Sequence, residues 1–241
     1  MNGRGNSPMY GPGFVIFTAA RIYWALTTIA TEMRWCCRNA GTMPMCFPST
    51  NAQAPYPAPM DDAVEGYQWL QDQGYAPENI VIAGNSAGGG LSIGTTLRLR
   101  DEGIALPKCL VLSSPWADVS QEGESYTYNR KNDASFGSLS DDAVGHKALP
   151  TTYAGNESVY NLRISPVYAE YEGMPPMLIQ AGTTEMLLSD SETVAARTEA
   201  VGVNVRLIEY RGMWHTFYTA MKQFREQKEA RQATENFIHA L

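Results

Sequence analysis

Apolar and polar positions along the chain follow two periods, one typical of strands and one typical of helices. Short runs rich in β-branched residues predict buried strands at residues 79–83, 109–112, 177–181 and 203–210. Longer runs predict helices at residues 19–33, 61–73, 89–100, 192–200 and 223–241. From residue 61 onward the two kinds of element largely alternate, which favours an α/β fold with a mostly parallel sheet and helices on both faces.

The strand at 79–83 runs into its helix through the sequence Gly84-Asn85-Ser86-Ala87-Gly88. G-x-S-x-G at a strand-to-helix turn is the pattern of a nucleophile elbow. Such a sharp turn strains the serine, and the flanking glycines let neighbouring backbone pass without a Cβ clash. Ser86 is therefore the candidate nucleophile. The alternative is a glycine-rich turn without chemistry, because short matches of common residues arise by chance.

The chain has three histidines. His239 lies near the end of a polar helix, and His146 lies in a polar segment without an evident partner. His215 follows the strand-like run 203–210, in the kind of loop where α/β folds place catalytic residues. A histidine between aromatic residues is more often a packing residue. With Ser86 upstream, however, we predict that His215 is the catalytic base.

Three acids follow strand ends and are candidates for the third member of a triad. Glu185 comes shortly after the strand at 177–181, Asp190 lies five residues further on, and Asp118 follows the strand at 109–112. Residues 189–192 read Ser-Asp-Ser-Glu, the form of a capping box, so a position in the first turn of a helix would explain Asp190 by itself. We therefore favour Glu185, then Asp190, then Asp118.

Several motifs occur in one order along the chain. They are Gly-Asn-Ser-Ala-Gly-Gly at 84–89, Ser-Pro-Trp-Ala-Asp at 114–118, Thr-Glu-Met-Leu-Leu-Ser-Asp-Ser at 184–191 and Gly-Met-Trp-His-Thr-Phe at 212–217, after a proline-rich lead at 55–63. Together they resemble the bacterial hormone-sensitive-lipase-like esterases of the α/β-hydrolase fold. The resemblance implies Ser86 as nucleophile, Glu185 as acid and His215 as base. It further implies a carboxylesterase that needs no cofactor. A missing N-terminal cap, which would leave the acyl pocket more exposed, favours short-chain acyl esters.

The oxyanion of such a reaction needs backbone N–H donors, and one is expected from Ala87. Where the family carries His-Gly-Gly-Gly, residues 10–14 of this chain read Tyr-Gly-Pro-Gly-Phe. Gly13 would be the second donor and Gly11 a further candidate, but Pro12 has no N–H. Loss of one donor lowers the rate on the order of 10²–10³-fold, so we expect an impaired or altered esterase. The alternative is that residues 11–13 form only a turn.

Three segments depart from the family's pattern. Residues 1–9 cannot supply the strands and cap that precede this motif in relatives, so we expect a reduced or truncated N-terminal part. A missing cap would leave apolar surface that a second copy could cover, as a homodimer. Residues 34–52 lack strand periodicity and indicate an irregular loop. Residues 120–166 are too long for a simple connection and predict a lid-like insertion, with Trp116, Tyr126, Tyr128 and Tyr153 as candidates to line a substrate pocket.

Composition narrows the choice of partners. The 241 residues have the size of a single domain, 1–241, and their net charge of −7 argues against a nucleic-acid or anionic-membrane surface. Arg21 interrupts the apolar run 14–31, which argues against a membrane segment. The four cysteines form no CxxC pair, and no zinc site is apparent. Adjacent Cys36 and Cys37 favour a reducing compartment and hence the cytoplasm.

Two classes of function remain. The first is an esterase acting on a small-molecule ester, with lactone or amide hydrolysis or acyl transfer as further reactions of the same triad. The second is a catalytically silent binding protein on the same fold. The retained serine, acid and histidine favour the enzyme, whereas Pro12 and the short N-terminal part favour the silent protein.

Overall fold

The structure is a computed structural model that describes residues 13–19, 44–49, 55–136, 149, 151–219 and 224–241. These ranges contain six strands in one sheet. The strands are β1 (Gly13–Ala19), β2 (Pro44–Ser49), β3 (Ile80–Asn85), β4 (Cys109–Ser113), β5 (Met177–Gly182) and β6 (Val205–Tyr210).

The strand order is β2-β1-β3-β4-β5-β6, and each neighbouring pair is parallel. The chain first builds outward from β1 to β2 and then returns to place β3 on the other side of β1. This change of direction makes the carboxyl end of the sheet between β1 and β3 a topological switch point, where open α/β sheets bind ligands. Ser86 directly follows β3.

Five α-helices are assigned in the described residues, besides short 3₁₀ helices. They are α1 (Ala58–Asp72), α2 (Ala87–Asp101), the four-residue α3 (Ser125–Tyr128), α4 (Leu188–Ala200) and α5 (Arg225–Ala240). No helix of these ranges combines the length and the apolar character that crossing a bilayer requires.

The core lies on both faces of the sheet, because side chains of a strand alternate between its two faces. Ile80 and Ile82 of β3 belong to the larger apolar cluster, which also contains side chains of α1, α2 and α4. Val81 and Ala83 belong to a second cluster, which includes Phe237 of α5. Helices therefore cover both faces, which confirms the predicted α/β architecture of a parallel sheet with helices on both sides.

The structure corrects the prediction for residues 34–52, which include β2 rather than only an irregular loop. β2 pairs with β1 alone in the described sheet and contains Pro44 and Pro48. Proline cannot donate to a strand ladder and is tolerated at a sheet edge. These prolines hid the strand from the sequence pattern. A helix was predicted at 19–33. Its first residue, Ala19, is instead the last residue of β1, and residues 20–33 lie outside the described ranges.

Candidate active site

Ser86 occupies a strained turn between β3 and α2. Its φ of 53° is unusual for a residue with a side chain and costs on the order of 1–3 kcal/mol, a strain typical of functional sites. A Cβ on Gly84 would lie 2.2 Å from the carbonyl oxygen of Gly88, so the turn requires a glycine there. The Ser86 carbonyl accepts hydrogen bonds from the N–H groups of Gly89 and Trp116, at 2.9 and 2.8 Å.

His215 lies in the loop after β6 and is buried. Its Nε2 is 2.9 Å from the Ser86 hydroxyl oxygen, and its Nδ1 is 3.0 Å from Oε2 of Glu185. A carboxylate only accepts hydrogen bonds, which assigns the proton to Nδ1 and leaves Nε2 as the acceptor for the serine hydroxyl. The imidazole is therefore oriented to take a proton from Ser86.

Glu185 lies in the loop between β5 and α4, and its side chain is fully buried. One carboxylate oxygen faces His215, and the other accepts a hydrogen bond from the Gly182 N–H at 2.6 Å. A Cβ on Gly182 would lie 2.2 Å from the carbonyl oxygen of Met213, so the acid loop and the histidine loop are in close contact here. Three segments distant in sequence thus form one hydrogen-bonded chain from serine to acid.

The other two acid candidates do not bond to His215. Oδ2 of Asp190 accepts hydrogen bonds from the N–H groups of Ala117 and Asp118 and from the hydroxyl of Tyr126. Asp118 accepts from the N–H groups of Ser120 and Glu122. Both carboxylates organise the loop that follows β4. Burial, followed by repulsion from Asp118, raises the pKa of Asp190 well above its usual range.

The capping box predicted at residues 189–192 is wrong. Helix α4 begins at Leu188 and its N-cap residue is Leu187, which makes no side-chain cap. Ser189 is therefore already inside the helix, where its hydroxyl lies 2.6 Å from that of Ser125. Asp190 owes its position to the loop after β4 rather than to a capping motif.

The oxyanion donors are placed only in part. Ala87 is the first residue of α2, where backbone N–H groups have no partner within the helix. Gly13 begins β1 and aligns with Ile80, at the opposite end of β3 from Ser86. Six residues of strand separate the two positions by roughly 20 Å, so the structure does not bring Gly13 to the serine. Gly11 and Pro12 lie outside the described residues.

Two further side chains that were not expected at the site contact His215. The ring centroid of Phe136 lies 4.7 Å from that of the imidazole. The hydroxyl of Ser135 donates to the carbonyl oxygen of His215 at 3.2 Å. Both lie in a bracing segment, residues 129–136, whose polar sequence resembles an ordinary solvated loop. No local pattern could have revealed these contacts, because they join positions about eighty residues apart.

A small cavity lies beside Ala87, with a volume of about 10 Å³. Its lining residues are Ala87, Gly90, Leu91, Trp116, Val119, Tyr153 and Ile164. The buried hydroxyl of Tyr153 has no hydrogen-bond partner among the described residues. Of the predicted pocket aromatics, Trp116 and Tyr153 thus line a cavity, Tyr126 is bonded to Asp190, and Tyr128 is exposed.

The remaining titratable candidates lie elsewhere. His239 is on the exposed last turn of α5, and Cys46 lies in β2. His146, Cys36 and Cys37 lie outside the described residues. Within the described ranges, no group of three or more His, Cys, Asp or Glu side chains could hold a metal ion.

Comparison with known proteins finds one matching family model. It is described as the alpha/beta hydrolase fold and matches residues 23–219. The chain is 34% identical to an esterase of Acinetobacter venetianus over 177 residues, which are 73% of this chain and 57% of the relative. It is also 34% identical to an acetyl-hydrolase of Streptomyces hygroscopicus over 166 residues, 69% of this chain and 54% of the relative. The chain thus spans somewhat more than half the length of these relatives.

Solved structures give the same picture. The fold matches an esterase from the bacterial hormone-sensitive lipase family with a TM-score of 0.78 and 29% identity, over 92% of this chain and 75% of that one. It matches a hormone-sensitive lipase from a metagenome library with a TM-score of 0.79 and 28% identity, over 95% of this chain and 78% of that one.

Proposed function

Because the chain belongs to the α/β-hydrolase family, among its hormone-sensitive-lipase-like esterases, we propose that it is a serine carboxylesterase. Its substrates are short-chain acyl esters, hydrolysed through an acyl-enzyme. The observation that carries the proposal is the hydrogen-bonded chain from Ser86 through His215 to Glu185.

The mechanism follows from the direction of these hydrogen bonds. A serine hydroxyl is a weak nucleophile, and His215 Nε2 takes its proton as the oxygen attacks the ester carbonyl. The imidazolium then returns the proton to the leaving alcohol. Glu185 keeps the imidazole in the correct tautomer and stabilises its charged form. A water molecule, activated by the same histidine, then releases the acid from Ser86.

The tetrahedral intermediates carry a negative oxygen that needs N–H donors. Ala87 is the proposed first donor, because the N–H groups at the start of a helix lack helical partners and lie at its positive end. No second donor is placed beside Ser86 among the described residues. Gly13 lies at the opposite end of β3, so this part of the geometry gives no support to Gly11, which stays a prediction from the sequence.

The preference for short acyl chains is supported by the cavity beside Ala87. About 10 Å³ is the space of roughly one water molecule, which suits a methyl group better than an extended chain. Trp116, Tyr153 and Ile164 are bulky side chains of its lining. Each methylene that finds no room in the cavity gains none of the about 0.8 kcal/mol of burial and must displace packed side chains, so acetyl esters are the expected optimum.

The decisive experiment measures hydrolysis of p-nitrophenyl acetate, butyrate and octanoate by the wild type and by Ser86→Ala. We expect measurable turnover for the wild type, highest with acetate, and a loss of at least about 10⁴-fold in kcat for Ser86→Ala. Ser158→Ala is the matched control. Ser158 is an exposed loop serine whose hydroxyl accepts a hydrogen bond from the Tyr160 N–H and none from the triad. Equal rates for wild type and Ser86→Ala would refute the proposal.

The hydrogen-bonded chain from Ser86 to Glu185 supports the enzyme over the silent binding protein that Pro12 favours. The signature of the silent protein would be a folded wild type that binds esters without releasing the alcohol. A homodimer, a cytoplasmic location and the absence of nucleic-acid and membrane partners stay predictions from the sequence.

A further inference from the structure

The bracing segment, residues 129–136, contacts the acid loop on both sides of Glu185. The side-chain amide of Asn129 donates to the carbonyl oxygens of Thr183 and Glu185, each at 3.0 Å. One carboxylate oxygen of Asp133 accepts the N–H of Met186 at 2.8 Å. Asn129 and Asp133 are both buried. Three hydrogen bonds therefore fix the backbone within two residues of the catalytic acid.

The same segment contacts the histidine loop. The second carboxylate oxygen of Asp133 accepts the N–H of Ser135 at 2.8 Å. This bond orients Ser135, whose hydroxyl donates to the carbonyl oxygen of His215. The next residue, Phe136, packs against the imidazole ring. Asp133 thus bonds directly to the backbone after Glu185 and is connected to the backbone at His215 indirectly, through Ser135.

The proton-transfer geometry depends on how the acid loop and the histidine loop are held together. The distance between Glu185 Oε2 and His215 Nδ1 is set by two loops that follow different strands, β5 and β6. Hydrogen bonds to a charged acceptor are about twice as strong as neutral ones, and leaving such a buried acceptor unpaired is costly. A bridge anchored on both loops therefore restrains the separation of acid and base more than either loop could alone.

We propose that Asp133 and Asn129 are positioning residues that hold Glu185 at bonding distance from His215. The inference rests on the proposed function and names which residues outside the triad the reaction depends on. Neither side chain touches the reacting atoms. Both act through the two loops that carry Glu185 and His215.

The test compares the wild type with Asp133→Asn. The Asn side chain retains one acceptor but presents its amide N–H₂ to either Met186 or Ser135, where another N–H already points. We expect kcat to fall about 10- to 100-fold, as for other misplacements of roughly 1 Å. The acidic limb of the kcat/KM profile should move to lower pH, because a displaced carboxylate stabilises the protonated imidazole less.

Two comparisons separate positioning from a general loss of stability. Asp118→Asn is the matched control, because Asp118 is also buried and also accepts two backbone N–H groups, but neither belongs to the acid or histidine loop. Its pH profile should match that of the wild type. In a Glu185→Gln background, Asp133→Asn should lower kcat by less than about 3-fold. The effects of two substitutions are not additive when one residue acts through the other.

A readout that needs no turnover keeps this test separate from the test of the esterase proposal. The titration of His215, followed by NMR with labelled histidine, should move to lower pH in Asp133→Asn. An unchanged titration in a folded variant overturns the positioning role, whatever the activity of the wild type. If Asp133→Asn does not fold, Ser135→Ala decides. Ser135 is exposed, its loss removes only the bond to His215, and a kcat equal to that of the wild type overturns the inference.

Discussion

Gly182→Ala should impair catalysis without changing any member of the triad. Gly182 ends β5, and its N–H holds Glu185. An added Cβ would lie 2.2 Å from the carbonyl oxygen of Met213 and 3.0 Å from the nitrogen of Trp214. Both atoms are main chain, so no side-chain rotation can relieve the overlap. The loop that carries His215 must therefore move away from the loop that carries Glu185.

The size of the effect follows from the distances. A carbon–oxygen contact of ordinary length requires the two chains to separate by about 1 Å. This shift also disturbs two hydrogen bonds that the Met213 carbonyl accepts from Thr184, at 3.0 and 2.7 Å. Overpacking of this kind typically costs about 1–3 kcal/mol of stability. A misplacement of about 1 Å at a catalytic group can lower kcat about 100-fold.

The assay is hydrolysis of p-nitrophenyl acetate, normalised to the folded fraction measured by circular dichroism at the same temperature. Gly94→Ala is the matched control. Its Cβ would lie 2.4 Å from the carbonyl oxygen of Arg163, an equally severe main-chain overlap away from the triad. We expect similar losses of thermal stability for both variants, but a loss of kcat only for Gly182→Ala. A Gly182→Ala enzyme that is destabilised yet turns over at the wild-type rate would refute this reasoning.

Two further substitutions test the assignment of the acids. Glu185→Gln should lower kcat by about 10⁴-fold, because the new amide must either face the Gly182 N–H or offer its N–H to His215, and retained turnover in steady-state kinetics would contradict the triad. Asp190→Asn should become more stable relative to the wild type as the pH rises from 5 to 8. Because the folded-state pKa of Asp190 is raised, its charge destabilises the folded protein increasingly above its usual pKa. Urea unfolding at both pH values measures this, and a pH-independent difference would contradict it.

Much of the fold could be predicted from spacing alone. The strands at β3, β4, β5 and β6 and the helices α1, α2, α4 and α5 carry strong local periodicity, and they were placed within a few residues of their observed bounds. The two exceptions have different causes, one local and one tertiary. β2 contains two prolines, and α4 begins at Leu188 because the loop before it packs against α3 and the bracing segment.

The residues of the candidate site likewise differ in how well the sequence predicts them. Ser86 could be found because the elbow needs glycines at the second position before and after the serine. These positions are close in the chain, so the sequence alone shows them. His215 could be found because the chain offers few histidines and one of them follows a strand. The position of Gly13 was misjudged because an oxyanion donor is defined by its place across the sheet, not by its neighbours in the chain.

The sequence by itself determined the α/β architecture, the serine at the elbow and the order of serine, acid and histidine. Only the tertiary structure decided which of three acids meets His215, and only it revealed Asn129 and Asp133 behind the triad. The physical reason is the range of the interactions. Periodicity and turn chemistry act over a few residues, whereas the triad is assembled by the packing of distant loops. Glu185 is 30 residues from His215 in the chain, and Ser86 is 129 residues from it.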